Sequence, residues 1–248
     1  MVRYKRKTAK ERDFYMKIII IRHGDPDYSI DSLTEKGWRE AYLLSERISK
    51  LHVDDFYCSP LGRAIATAKP TLTKMNREAK TLHWLREFEG KIISKTTGKP
   101  RVAWDLPPSD WCNEEICYDK DNWRGYALYE GTSVTDCYDT VKNGVDELLK
   151  RYGWERDGML YRGGEDKTIV LFCHLCLGMT VISHLLGISP IIAQNNFFLA
   201  PTSVSTLVTE TDSRGGSHFR VVSLGDTSHL YCAGEPMSES GLHPNFNK

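Results

Sequence analysis

The 248-residue sequence lacks a long apolar run: no window approaches the roughly 18 apolar residues that a membrane-spanning helix needs. The apolar run behind the basic N-terminus, residues 18–21, is far too short for the hydrophobic region of a signal peptide. An excess of either charge is also lacking, because 33 basic residues balance 33 acidic ones. We therefore expect a cytoplasmic protein with no nucleic-acid partner and no membrane partner.

The seven cysteines lack the regular spacing of a disulfide framework, which favours reduced thiols. Cys173 and Cys176 form a CxxC pair around His174. A zinc site of this kind needs a second ligand pair with similar spacing, and the sequence does not supply one. We expect buried structural thiols here, and no metal.

Internal repeats and low-complexity tracts are absent as well. Hydrophobic residues make up 40% of the sequence, which supports a packed core. The length fits one α/β domain, which we place at residues 16–248. Residues 1–15 are rich in Lys and Arg without an apolar period, and we interpret them as a flexible basic leader.

Short apolar runs alternate with amphipathic stretches along the chain. Residues 17–21 form an unbroken apolar run, typical of a strand covered on both faces. Ser32 or Thr34 can cap the helix that follows, and Pro70 is expected to end or kink a second helix that opens at Arg63. The predicted strands are 17–21, 55–59, 82–85, 168–173, 203–209 and 219–224, with further helices over 134–152 and 179–186. This alternation predicts an α/β fold: a three-layer α/β/α sandwich with a mostly parallel central sheet and an inserted lid region.

Periodicity is lost over residues 91–130, the insert, where aromatic residues are frequent. Residues 104–130 of the insert hold seven acidic and two basic side chains. One interpretation is a self-packed lid whose aromatic residues form a satellite core. The other is a lid over the site, whose negative charge would disfavour polyphosphates and favour monoesters with an apolar, aromatic or cationic group.

Chemically useful side chains follow three predicted strands at their carboxyl ends. Arg22 and His23 follow the first strand, Arg63 follows the second, and His174 follows the strand TIVLFC. Strand ends of this kind are where the sites of open α/β sheets lie. Two arginines and two histidines meeting there would form a phosphate pocket, because the guanidinium fork binds phosphate oxygens and stays charged.

A neutral histidine in such a pocket offers a nitrogen nucleophile that needs no separate base. Attack on phosphorus would give a phosphohistidine, with the arginines stabilising the charge on the equatorial oxygens. The leaving alkoxide needs a proton, and the loop of residues 85–90 supplies Glu87 and Glu89. Either carboxylate could serve as general acid and then as base for water.

Taken in order, these motifs resemble the histidine phosphatase superfamily, which has the phosphoglycerate-mutase-like fold. The matching blocks are Arg22-His23-Gly24, Leu33-Thr34-x-x-Gly37-x-x-x-Ala41, Ser59-Pro60-Leu61-x-Arg63-Ala64 with Thr67-Ala68, Leu85-x-Glu87 with Glu89-Gly90, His174 after its strand, and Asp226-Thr227-x-His229-Leu230. The blocks extend from residue 17 to about residue 230.

The resemblance implies a role for each matching residue. His23 would be the phosphorylated nucleophile, and Arg22, Arg63 and His174 would complete the phosphate pocket. Glu87 would be the proton donor. Two further residues would support the site from behind: Glu89, in a structural or substrate-facing position, and His229.

The sequence departs from the family pattern in two places. Leu175 and Cys176 follow His174, where the family has Gly, so this loop is expected to differ in shape. Only nine residues separate His23 from Leu33, which is short for a mutase. We therefore expect a metal-independent phosphatase of the phosphatase branch, without a cofactor, that hydrolyses a small phosphomonoester.

Two alternative functions are weighed against this one. A phosphoglycerate-type mutase is the first, and a non-catalytic phosphate-binding or scaffold protein is the second. The presence of both histidines, both arginines and a carboxylate at the acid position argues against the scaffold. The sequence excludes neither a phosphoprotein substrate nor a homodimer.

Overall fold

The computed structural model describes residues 15–242, so almost all of the predicted basic leader, residues 1–14, lies outside the described residues. The strands are β1 Met16–Arg22, β2 Pro26–Asp27, β3 Ser32–Leu33, β4 Asp55–Cys58, β5 Ala79–Thr81, β6 Lys91–Ile93, β7 Pro100–Val102, β8 Trp154–Asp157, β9 Leu160–Gly163, β10 Lys167–Cys173, β11 Val204–Thr211 and β12 Ser217–Asp226. The α-helices are α1 Glu35–Ile48, α2 Gly62–Met75, α3 Pro108–Trp111, α4 Val134–Lys150, α5 Leu175–Leu186, α6 Pro190–Asn196 and α7 Ser228–Ala233.

Eight of these strands form one central sheet in the order β5-β4-β10-β1-β11-β12-β9-β8. The strands β5, β4, β10 and β1 are parallel to one another. The remaining four, from β11 to β8, pair antiparallel. The predicted α/β class is thus confirmed, with the parallel pairing confined to the half of the sheet that contains the predicted site.

Helices cover both faces of this sheet. Successive apolar side chains of β1 point to opposite faces, so both faces need to be buried. Ile19 and Ile21 belong to a buried cluster with Leu44 of α1 and Ala68 of α2. Ile18 lies in the larger cluster on the other face, with residues of α4, α5 and α6. The unbroken run of β1 therefore reflects a strand that is buried on both sides.

The N-cap signal predicted for α1 is present in the structure, whereas the proline in α2 does not end that helix. Thr34 is the N-cap of α1, and its side chain accepts a hydrogen bond from the Gly37 amide at 3.0 Å. Pro70, predicted to end or kink the second helix, does not end it: α2 continues to Met75. Burial of Thr67, Ala68 and Thr71 offsets the one backbone hydrogen bond that proline removes.

The predicted strand 82–85 is wrong. The strand in this region is β5, which ends at Thr81, and residues His83–Leu85 form a single 3-10 turn. Leu85 is fully buried and Leu82 packs against the same cluster, so the apolar residues repeat every three positions. The hairpin β8–β9 and the helices α6 and α7 were not predicted, because their short segments carry no clear apolar period.

The insert, residues 91–130, contains the hairpin β6–β7, the short helix α3 and three 3-10 turns. Its aromatic residues Trp123, Tyr126 and Tyr129 are buried in the same cluster as α4 and α5. They therefore fill the main core and do not form a separate satellite. Within residues 15–242 no helix combines the length and the apolar character that crossing a membrane requires.

Candidate active site

The predicted site residues meet at the carboxyl ends of the parallel strands. In the sheet register Arg22 lies beside Cys173, and Phe172 lies beside Cys58. His23, His174 and Ser59 therefore follow three adjacent strand ends, and α5 starts directly behind His174.

His23 is buried, with 2% of its surface exposed. Its Nδ1 lies 2.8 Å from the carbonyl oxygen of Gly24, which can only accept a hydrogen bond, so Nδ1 carries the proton. Burial lowers the pKa of His23 well below its usual value, and the charges of Arg22 and Arg63 lower it further. The ring is therefore neutral at pH 7, and its Nε2 has no proton.

His174 packs against His23, with ring centroids 5.1 Å apart. Its Nε2 lies 2.8 Å from the Ser59 hydroxyl. Burial, then the nearby His23 and Arg63, hold the pKa of His174 well below its usual range. Its Nδ1 is buried and has no hydrogen-bond partner among residues 15–242.

Arg63 is held at the start of α2 by Asp31. Its Nη1 donates to Oδ1 of Asp31 at 2.7 Å, and Oδ2 of the same carboxylate accepts the Gly62 amide at 2.7 Å. Asp31 has φ of 45°, in the left-handed region. A Cβ at position 62 would lie 2.1 Å from the Asp31 carbonyl oxygen, so only glycine fits there.

Arg22 projects from the end of β1 into a shell of backbone carbonyls. Its Nη1 donates to Leu199 at 2.6 Å and its Nη2 donates to Ser240 at 2.8 Å. The guanidinium also lies 5.6 Å from the ring centre of Phe198. Residues 235–242, the C-terminal segment, thereby reach the site, and Ser238 secures them by donating to Asp25.

Three buried nitrogen atoms of this cluster have no partner within residues 15–242: Nε of Arg22, Nε of Arg63 and Nδ1 of His174. A buried donor without an acceptor costs about 1–3 kcal/mol. Three of them around one neutral histidine form a preformed site for an oxyanion.

The two candidate carboxylates differ sharply in position. Oε1 of Glu87 accepts the amides of Phe88 and Leu177, each at 2.9 Å. Burial raises the pKa of Glu87, although these hydrogen bonds and the charges of Arg22 and Arg63 oppose it. Glu89 is exposed and forms an ion pair with Arg86 at 3.3 Å, so the structure does not bring Glu89 into the cluster.

His229 lies behind the site. Its Nε2 is 3.2 Å from the Thr202 hydroxyl, and the Thr202 amide donates to the carbonyls of Arg22 and His23 at 3.1 and 3.2 Å. His229 therefore contacts the loop that supports the backbone of both residues.

Leu175 and Cys176, which depart from the family pattern after His174, are the first two residues of α5. The thiols of Cys173 and Cys176 are buried, and burial raises the pKa of both. Among residues 15–242 no group of three or more His, Cys, Asp or Glu side chains is arranged to hold a metal ion.

Several contacts had no visible signal in the sequence. The loop before Leu33 gave no indication that Asp31 positions Arg63, and Ser240 is 218 residues from Arg22. Ser59 lay inside a matched block, but its partner, 115 residues away, could not be read from that block.

Comparison with known proteins supports these observations. A sequence profile of the histidine phosphatase superfamily, branch 1, matches residues 18–226. Phosphoserine phosphatase 1 of Hydrogenobacter thermophilus is 26% identical over 186 residues, which is 70% of this chain and 77% of that protein. The probable phosphoglycerate mutase GpmB of Yersinia pestis is 24% identical over 224 residues, covering 87% and 95% of the two chains.

Among solved structures, a mutant phosphoserine phosphatase from Entamoeba histolytica in complex with phosphoserine has the same fold. The TM-score is 0.59 at 23% sequence identity, and the match covers 87% of this chain and 99% of the other. The chain therefore belongs to the histidine phosphatase superfamily, and enzymes of phosphoryl transfer are its relatives.

Proposed function

We propose that this member of the superfamily is a phosphatase that hydrolyses a small phosphomonoester through a phosphohistidine on His23. The observation that carries the proposal is the set of three unpaired buried donors, on Arg22, Arg63 and His174, around a neutral histidine. A phosphoryl group supplies the acceptor oxygens that these donors lack.

His23 is suited to be the nucleophile because its proton is committed to the Gly24 carbonyl. The lone pair of Nε2 attacks phosphorus, and the bond from phosphorus to the alcohol oxygen breaks. Arg22, Arg63 and the Nδ1–H of His174 stabilise the charge that spreads over the equatorial oxygens. Water then attacks the phosphohistidine, and the phosphorus–nitrogen bond breaks to restore His23.

Glu87 is the proton donor in this scheme. One carboxylate oxygen is fixed by two backbone amides, which leaves the other to exchange a proton. Its raised pKa keeps a larger protonated fraction than an exposed glutamate has. The proton passes to the leaving alkoxide, and the resulting carboxylate then takes a proton from the attacking water.

The substrate's alcohol part has a place beside Arg22. A cavity of about 230 Å³ adjoins it, with a wall that includes Trp104, Leu106, Leu175, Asn195, Phe197 and Phe198. The first two residues belong to the insert, which supports the interpretation that the insert influences substrate choice. The wall also includes the polar side chains of Asp105, Gln194 and Asn196, so it suits an alcohol with both apolar and hydrogen-bonding groups. Among the described residues no Lys or Arg lines this cavity, which disfavours a second phosphate there.

A phosphoglycerate-type mutase is the second candidate, favoured by the similarity to GpmB over most of the chain. The two functions differ in what accepts the phosphoryl group from His23. Water accepts it in a phosphatase, and a second hydroxyl of the substrate accepts it in a mutase.

A panel of phosphomonoesters that includes phosphoserine and 3-phosphoglycerate, assayed for phosphate release, tests the proposal. We expect His23→Ala to abolish turnover and to remove the acid-labile, base-stable phosphate label on the protein. His52→Ala, which removes an exposed histidine, should leave both unchanged. Turnover that survives His23→Ala would exclude the mechanism, and isomerisation of 3-phosphoglycerate faster than phosphate release would identify a mutase.

A further inference from the structure

A second cavity lies at the far end of α5 from His174. Helix α5 starts directly after His174 and has 12 residues, so its ends are about 18 Å apart. The cavity has a volume of about 240 Å³. It is lined by residues of the insert, α4, the β8–β9 hairpin and the end of α5: Lys120, Asp121, Trp123, Arg124, Tyr138, Lys142, Arg156, Met159, His184, Gly187 and Ile188.

The wall of this second cavity carries four cations and one carboxylate. Lys120, Arg124, Lys142 and Arg156 are the cations, and Asp121 is the carboxylate. The first two are the only basic residues in the acidic stretch 104–130, and both face this one cavity. Asp121 and the two carboxylates that pair with the arginines offset three of the four cations, which leaves an excess of one positive charge. A concave surface with an excess of one sign of charge concentrates ligands of the opposite sign.

Both arginines are fixed in place by carboxylates outside the cavity wall. Arg124 forms a two-point ion pair with Asp139, at 2.6 and 3.1 Å, and lies over the ring of Trp123. Arg156 lies 3.6 Å from Asp146. Arg156 also donates to the carbonyls of Gly158 and His184 and to the Tyr161 hydroxyl. Each guanidinium keeps at least one N–H donor beyond those used, so the arginines are preorganised without being saturated.

Lys142 differs from these residues. No carboxylate within residues 15–242 lies within ion-pair distance of its amine, although the side chain is half-buried. It shares the wall with His184, whose Nε2 lies 2.9 Å from Asp146 and 3.0 Å from Arg156. The cavity thus combines a lysine without a carboxylate partner with three further cations held around it.

We propose that this cavity is a second anion site, distinct from the catalytic pocket, that binds the phosphate group of a small molecule. A phosphate group accepts hydrogen bonds on several oxygens at once, which matches a wall with four separate cationic donors better than a single carboxylate does. Lys142 supplies an ammonium group without a carboxylate partner, Lys120 supplies one that also binds Asp121, and the arginines supply fixed N–H donors. The side chains of Met159 and Ile188 provide apolar contacts for the rest of the ligand.

Nuclear magnetic resonance distinguishes the two sites, because the methyl groups of Met159 and Ile188 report on the second cavity and the His23 ring reports on the first. In the first titration inorganic phosphate is added to the wild-type protein, and in the second 3-phosphoglycerate is added to His23→Ala. Inhibition of wild-type catalysis by phosphate reports separately on the catalytic pocket. We expect saturable shifts of both methyl signals, and the arm with the tighter Kd identifies free phosphate or a monoester as the better ligand.

The variant Lys142→Met should weaken the methyl titration at least 10-fold and leave turnover and the inhibition constant of phosphate unchanged. Lys150→Met is the matched control, since Lys150 lies on the same helix and is exposed outside the cavity. Lys120→Met, an exposed position, repeats the test if Lys142→Met lowers the melting temperature. The proposal would be overturned if the methyl shifts saturated in neither titration. An equal weakening of the titration in Lys150→Met would also overturn it.

Discussion

The hydroxyl of Ser59 lies 2.8 Å from Nε2 of His174, and the same oxygen accepts the Leu61 amide at 3.2 Å. We infer that the hydroxyl donates to Nε2 of His174 while its oxygen accepts the Leu61 amide. Neutral His174 then carries its own proton on Nδ1, the buried atom without a partner. His23 and His174 therefore have the same tautomer, but in His174 the Nδ1 proton is available to a phosphate oxygen.

Replacement of Ser59 by Ala should lower kcat about 10-fold, because one hydrogen bond that fixes the tautomer, worth about 1–1.5 kcal/mol, is lost. Rates and melting temperatures measured together separate this effect from a loss of folded protein. An unchanged kcat in a folded variant would show that His174 needs no help from Ser59.

The pH profile of kcat/KM should have its maximum on the acid side of neutrality. His23 must be unprotonated, and its lowered pKa extends activity well below pH 6.5. Glu87 must be protonated, so activity falls as pH rises through its raised pKa. Initial rates from pH 4 to 9 test both limbs, and a profile that rises throughout this range would contradict the role of Glu87.

Separate substitutions of the two glutamates should differ in effect. Glu87→Gln is expected to cost about 100-fold or more with alkyl phosphates, whose alcohols are poor leaving groups, and much less with p-nitrophenyl phosphate. Glu89→Gln, at an exposed position, should change kcat less than 3-fold. A larger loss of activity for Glu89→Gln than for Glu87→Gln would identify Glu89 as the general acid.

Asp31→Asn should raise KM about 5- to 10-fold, because the charged partner that holds Arg63 is replaced by a neutral one. Asparagine tolerates the left-handed backbone at this position, so the loop conformation is retained. Asp27→Asn is the control, since within residues 15–242 that carboxylate accepts hydrogen bonds from Ser29 alone, in the same loop. Equal KM values for the two variants would exclude a positioning role for Asp31.

Glu40 is fully buried on α1, and burial raises the pKa of its carboxyl to about 7. The pKa is higher in the folded state than in the unfolded state, so stability is complete below about pH 4.5 and declines as pH rises towards 7. Glu40→Gln should thus raise the free energy of unfolding at pH 8, by up to about 3 kcal/mol, and change it little at pH 4.5. Urea unfolding at both pH values tests this, with exposed Glu35→Gln as the control.

Local patterns predicted three of the four parallel strands, the antiparallel strands β11 and β12, and most of the cluster. The unbroken run of β1 and the period of α4 arise from burial of nearby residues, and such burial leaves a trace in the sequence. The strand ends then placed His23, Arg63 and His174 together. Features that depend on residues far away in the sequence could not be predicted. One is the hydrogen bond from Arg22 to Ser240, and another is the continuation of α2 past Pro70, which tertiary packing stabilises.

The C-terminal segment has a practical consequence for handling the protein. Leu242 lines the cavity next to Arg22, so a label or surface linkage attached within residues 235–242 would lie beside that cavity. The described chain enters the sheet at Met16, the opposite end of β1, about 23 Å from His23. Kinetic work is therefore best done with labels and surface linkages kept away from residues 235–242 and placed at the opposite end of β1.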